Sequence, residues 1–138
     1  METMYESEVT SKGGLTGHVT SEDKALDVDV YMPTGKDDDK QGTTPEQLFA
    51  ASYAACLEGT LYHVAKINNA DIDNTEVKAK VRAVQVEKGD LRFALDLDVT
   101  IPELDEEKAQ KILDNAYKNC PITKATKGNM EVNVQLKQ

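Results

Sequence analysis

Residues 48–67 place apolar or small side chains around almost the whole circumference of a helix, and no other stretch constrains the fold as much. A helix lying on a domain surface shows one polar face, so this one is expected to be buried on all sides. Its start is well signalled. Thr44 can cap it, Pro45 suits the first helical position, and Gln47 stands where a capping-box partner belongs. At 138 residues the chain falls near the common size of one domain, and no linker-like stretch divides it, so residues 1–138 are expected to form a single domain. A domain that small rarely encloses a long helix completely. Part of the burial is therefore expected from a second copy of the chain, in a homodimer with this helix at its centre.

The remaining pattern mixes strands and helices. Residues 25–32 alternate, with Leu26, Val28, Val30 and Met32 on one face and Asp27, Asp29 and Tyr31 on the other, which predicts a half-buried strand. Residues 5–10 and 16–21, separated by Gly13 and Gly14, read as two further strands and complete a three-stranded meander. Residues 75–87 and 91–101 flank Lys88-Gly89-Asp90, and the second run alternates Leu91, Phe93, Leu95, Leu97, Val99 and Ile101 with more polar residues, as a long hairpin should. A second helix over residues 103–119 has acidic residues in its first turn and an apolar stripe of Leu104, Ile112, Leu113, Ala116 and Tyr117. Met130, Val132, Val134 and Leu136 mark a last strand after Gly128. The expected class is α+β, in the order βββαββαβ.

Charge removes several functions. A formal net charge of -9 disfavours binding to nucleic acid or anionic lipid, leaving a small molecule or another protein as partner. Residues 1–10 lack the basic start and apolar run of a secretory signal, and nothing approaches the roughly 18 consecutive apolar residues of a membrane span, so a cytoplasmic location is expected. Asp37-Asp38-Asp39 lies in a polar, glycine-bounded stretch over residues 35–43 and reads as a solvated loop, because calcium ligands alternate along the chain and end in a later glutamate that is missing here.

The chain has two cysteines, Cys56 and Cys120. In a reducing compartment such a pair is reactive, metal-bound or simply buried more often than it is a permanent disulfide. Cys56 falls inside the apolar helix among small neighbours, Ala54, Ala55 and Gly59, which let another backbone or a small substrate come close. Cys120 precedes Pro121, which can open a short helix through residue 125 and so place the sulfur at a helix N-terminus, where partial positive charge favours thiolate. Two structural cysteines are the competing reading. Zinc is a poor third, since His18 and His63 do not complete a convincing four-ligand set with the two thiols. No metal or cofactor is expected. His63 follows Cys56 by seven residues, roughly 10 Å along a helix, and reads as a surface histidine. Glu46 precedes it by ten, roughly 15 Å, and can meet Cys56 only if two such helices pack antiparallel across a twofold axis. Within one chain Glu46 simply complements the helix dipole.

The run Gly42-Thr43-Thr44-Pro45-Glu46-Gln47-Leu48-Phe49-Ala50-Ala51, continued by Tyr53-Ala54-Ala55-Cys56, resembles the signature of the OsmC/Ohr family in its organic hydroperoxide resistance branch. The run from Asn119-Cys120-Pro121 to Gly128-Asn129 resembles the same family's resolving-cysteine segment, and Gly13-Gly14 with Leu26-Asp27-Val28 resembles its N-terminal region. The likeness covers almost the whole chain. It implies an intertwined α+β homodimer with two interfacial active sites. It also implies a stress-response peroxidase in which Cys56 attacks an organic hydroperoxide, Cys120 resolves the sulfenic acid as a disulfide, and a dithiol, in the family a lipoylated protein, reopens the bridge. Glu46 would assist, and Phe49, Tyr53, Leu57, Ile122 and Leu15 would form an apolar substrate surface, although the same side chains suit a core.

One departure bears on rate. The branch places an arginine after the Gly-Gly pair, where this chain has Leu15, and its two arginines, Arg82 and Arg92, both lie in the later hairpin. His18, Lys36 and Lys40 are the candidate replacements, and lysine lacks the bidentate fork of arginine. The alternative function is accordingly a family member with weak or no peroxidase activity, working as a redox sensor or binding protein.

Overall fold

The computed structural model describes residues 1–33 and 41–138, so the Asp37-Asp38-Asp39 loop, Lys36 and Lys40 lie outside the described residues. The backbone forms two compact units, Met1–Leu48 and Phe49–Gln138.

In the first unit, β1 (Val9–Lys12), β2 (His18–Ser21) and β3 (Asp27–Asp29) form an antiparallel sheet in the order β1-β2-β3, the expected meander. All three strands are shorter than expected, and β1 begins at Val9 rather than at residue 5 and runs on to Lys12. Between β1 and β2 the chain makes a short 3-10 turn over Gly14–Thr16. Gly13 and Gly14 take left-handed φ angles of 85° and 59°, and a Cβ on Gly17 would sit 1.8 Å from the Lys12 carbonyl oxygen, so this turn needs glycine. The expected strand over residues 25–32 loses its start because the Ser21 hydroxyl accepts from the Leu26 N–H at 2.9 Å and holds a turn. It loses its end because the Val30 N–H donates to the Gly17 carbonyl and Val30 bridges to Thr43 instead.

Helix α1 (Pro45–Ile67) starts where the sequence places it. The Thr44 hydroxyl accepts from the Gln47 N–H at 3.1 Å. The reciprocal half of the capping box is not made, because the Gln47 side chain accepts from the Thr43 hydroxyl at 3.0 Å.

In the second unit, β4 (Glu76–Glu87) and β5 (Asp90–Thr100) form the expected hairpin, and β6 (Glu131–Leu136) adds parallel to β5, so the order is β4-β5-β6. Leu95, Leu97, Val99 and Ile101 from the β5 region pack with Tyr53, Leu57 and Leu61 of α1 and with Ile112, Leu113 and Ala116 of α2 (Glu106–Asn119) in one core. Helix α2 begins three residues later than predicted. Asp105 caps it, accepting from the Lys108 N–H at 2.9 Å, while the Glu103 carboxylate is engaged by the backbone N–H groups of Asp73 and Asn74. Helix α3 (Pro121–Thr126) follows directly. Within the single chain α1 is not buried on all sides: Tyr53, Leu57, Leu61, Val64 and Ala65 are enclosed, whereas Ala51, Ser52, Ala55 and Gly59 on the other side are exposed. Among the described residues no helix is long and apolar enough to cross a membrane.

Candidate functional site

The two cysteines meet where α1 passes the junction of α2 and α3. The backbone N–H of Cys120 still donates to Ala116 at 2.8 Å and closes α2, while its carbonyl accepts from Lys124 at 3.1 Å and opens α3. One residue thus ends one helix and caps the next, with Pro121 in the first turn as the sequence predicts. The extended backbone at this corner (φ -61°, ψ 125°) turns the chain and brings the Cys120 Sγ to 3.5 Å from the Cys56 Sγ. Both thiols are free.

A second pair fixes the alignment. Tyr53 lies three residues before Cys56 and Thr123 three after Cys120, and the Tyr53 hydroxyl is 2.6 Å from the Thr123 hydroxyl oxygen. Both side chains are buried. Burial pushes the Tyr53 pKa up to about 12, so the phenol stays neutral and the contact is a neutral hydrogen bond. Residues 53 and 56 share one face of α1, so the hydroxyl pair and the sulfur pair register the same two helices.

The sulfurs differ in access. Cys120 is 0% exposed, whereas Cys56 is half-buried and lines a groove of about 570 Å³ with Gly59, Thr60, His63, Asn115 and Asn119. Burial raises the Cys56 pKa above the ordinary thiol value and the neighbouring Cys120 thiol adds to this, opposed by the Ile122 backbone N–H. No cation contributes among the described residues. Arg82 pairs with Asp96, and Arg92 pairs with Asp90 at 2.8 Å. The ring of His18 is held between Asp27 and Asp29 of β3 in the first unit, with the Asp29 contact at 2.7 Å, so both ring nitrogens are engaged. Leu15 sits half-exposed in the 3-10 turn. Glu46 occupies the first turn of α1, and its Oε2 is buried without a hydrogen-bond partner among the described residues.

Of the apolar side chains nominated for substrate, Tyr53 and Leu57 are fully enclosed and belong to the core of the single chain. Phe49 is partly exposed and packs edge-on against Tyr53 and tilted against Phe93, with centroids 6.3 and 5.6 Å away. Ile122 is partly buried and packs on the same core. His63 is exposed, as expected, yet it borders the Cys56 groove. Asn115 and Asn119, which also line the groove, are not among the residues expected from the sequence. The Asn119 amide donates to the Asn115 carbonyl at 2.8 Å and to its side-chain oxygen at 2.6 Å, making a polar wall beside Cys56. Their spacing of four on a helix adjoining Cys120 was the available signal. Among the described residues no cluster of three or more potential metal ligands occurs.

Comparison with known proteins gives a consistent result. A family model described as OsmC-like protein matches residues 35–135. The organic hydroperoxide resistance protein OhrB of Bacillus subtilis is 44% identical over 135 residues, covering 97% of this chain and 98% of its own. Its crystal structure superposes with a TM-score of 0.84, at 41% identity, covering 98% of this chain and 100% of that one. A crystal structure of an organic hydroperoxide resistance protein OsmC from Legionella pneumophila gives a TM-score of 0.91 at 28% identity, covering 99% and 100%. On the strength of the two cysteine-bearing segments, the fold and these relatives, the chain belongs to the OsmC/Ohr family and is organic hydroperoxide resistance protein-like.

Proposed function

We propose that the chain is a cytoplasmic, homodimeric two-cysteine peroxidase that reduces organic hydroperoxides to alcohols. The observation that carries this reading is the pair of free thiols 3.5 Å apart, one bordering a groove and the other fully enclosed. The Cys56 thiolate attacks the distal peroxide oxygen, the alcohol leaves, and Cys56 becomes a sulfenic acid. The Cys120 thiol condenses with it, forming the disulfide and releasing water. A dithiol, of the kind carried by a lipoylated protein, then returns both sulfurs to the reduced state. The names of the relatives, organic hydroperoxide resistance proteins, favour organic over hydrogen peroxide as oxidant.

Activation of Cys56 is the demanding step, because a thiol whose pKa burial has raised holds little thiolate at neutral pH. Lys36 and Lys40 are the remaining candidate cations in this chain. Glu46, with a buried carboxylate oxygen lacking a partner among the described residues, is the group that would orient such a cation. The exposed small side chains Ala51, Ser52 and Ala55 of α1 suit close packing against a second copy, which supports the homodimer.

The second reading is a redox sensor or binding protein with weak or no peroxidase activity, favoured by Leu15 and by the raised Cys56 pKa. Purified protein with cumene hydroperoxide and dihydrolipoamide separates the two. Turnover abolished by Cys56→Ser supports the peroxidase, and no turnover with any dithiol supports the alternative.

A further inference from the structure

Reduction of a disulfide requires a thiolate to approach one of its two sulfurs from the side opposite the bond that breaks, and the outcome depends on which sulfur can be reached. In this fold the two are not equivalent. Cys120 is 0% exposed, enclosed at the corner between α2 and α3 and counted among the core side chains. Cys56 opens to the groove whose walls include Gly59 and His63 of α1 and Asn115 and Asn119 of α2. Bringing the sulfurs from 3.5 Å to the roughly 2.05 Å of a disulfide shortens their separation by only about 1.5 Å. Such a closure does not lift a fully enclosed side chain to the surface, so the asymmetry persists in the oxidised protein.

We infer that the reductant enters by this groove and attacks Cys56, so that the mixed disulfide of the recycling step forms on Cys56 and Cys120 departs as the leaving thiol. The inference rests on the two-cysteine reading above and adds the direction of reduction. The incoming thiolate sulfur bonds to the Cys56 Sγ, the Sγ–Sγ bond breaks, and its electron pair leaves with Cys120, which takes a proton. The second thiolate of a dithiol then attacks the reductant's own sulfur in the mixed disulfide. That step releases Cys56 as thiolate and the reductant as its cyclic disulfide, a transfer of two electrons in all. Cys56 thus meets both oxidant and reductant, and Cys120 meets neither. The occupant of the groove is a slender thiol-bearing arm. Two amides, a histidine and the small Gly59 border its path, and they set which dithiols fit.

The test uses the wild-type chain. Diamide, which needs no peroxidase activity, oxidises the reduced protein, and peptide mapping identifies the Cys56–Cys120 disulfide. Brief exposure to excess 2-mercaptoethanol, followed by acid quench and N-ethylmaleimide, then traps the half-reduced species for a second map. The expected result is the mercaptoethanol mass shift on the Cys56 peptide and maleimide on the Cys120 peptide. The reverse assignment, or an even division between the two, overturns the direction while leaving the two-cysteine reading intact. Failure of diamide to give any Cys56–Cys120 disulfide overturns that reading and this inference with it.

Discussion

Replacing Tyr53 with phenylalanine deletes one oxygen and keeps the ring that packs against Phe49 and the core. The hydroxyl it loses is 2.6 Å from that of Thr123, and both side chains are buried. In Tyr53→Phe the Thr123 hydroxyl is left buried without this partner, and in Thr123→Val the phenol is left the same way. Each orphaned group is expected to cost about 1–3 kcal/mol, near the lower end because the bond is between neutral groups. For a chain of this size that is a fall in Tm of roughly 3–9 °C. The double variant removes both members and should lose much less than the sum, with a coupling energy of about 1 kcal/mol or more. Urea unfolding under reducing conditions, at one fixed protein concentration so that any association is held constant, measures all four corners of the cycle. If the pair also registers α1 against α3, Tyr53→Phe should slow diamide-driven disulfide formation. Additive costs, or single costs under about 0.5 kcal/mol, would refute the hydroxyl pair as a clamp.

Two further outcomes follow from the electrostatics. In Cys120→Ser the alkylation rate of Cys56 by iodoacetamide should rise with pH to an inflection above the ordinary thiol value of about 8.5, because burial is the main cause of the shift; an inflection below that value would reveal a cation acting on Cys56. His18 has its pKa raised by its bonds to Asp29 and Asp27. Its stabilising effect is therefore fully present below the unfolded value of about 6.5 and is lost as pH rises through the higher folded value. The Tm advantage of wild type over His18→Asn should shrink between acid and alkaline pH, and a gap that widens would contradict the clamp.

The legible parts of this molecule were those encoded by local chemistry. Thr44-Pro45 marked the start of α1, Lys88-Gly89-Asp90 the hairpin, and Pro121 the short α3, because caps and turns act within a few residues. Misplaced boundaries came from side chains with distant partners. Glu103 looked like the first turn of a helix but serves the backbone of Asp73 and Asn74, some 30 residues away in sequence. Alternation over residues 25–32 exceeded β3 because the Ser21 and Gly17 contacts divert the chain. The cysteine pair was legible from the two motifs, whereas the Asn115–Asn119 wall and the Tyr53–Thr123 bond depend on how α1, α2 and α3 pack. Tyr53 and Leu57 carry both readings in the sequence, because an apolar residue near a reactive thiol reads identically whether it faces a ligand or a core.

The cysteines stand 64 positions apart in sequence. In the unfolded chain a loop that long closes rarely, and the chain-entropy model puts the cost of tying its ends at about 4 kcal/mol. Folding removes that cost in advance by holding the sulfurs side by side, and thermodynamic reciprocity works in both directions. Whatever free energy the fold contributes to closing the bridge, the closed bridge returns to the fold, so the oxidised protein should be the more heat-resistant form. A protein turning over peroxide would then alternate between a firmer and a softer molecule, and the softer one would be the form waiting for substrate.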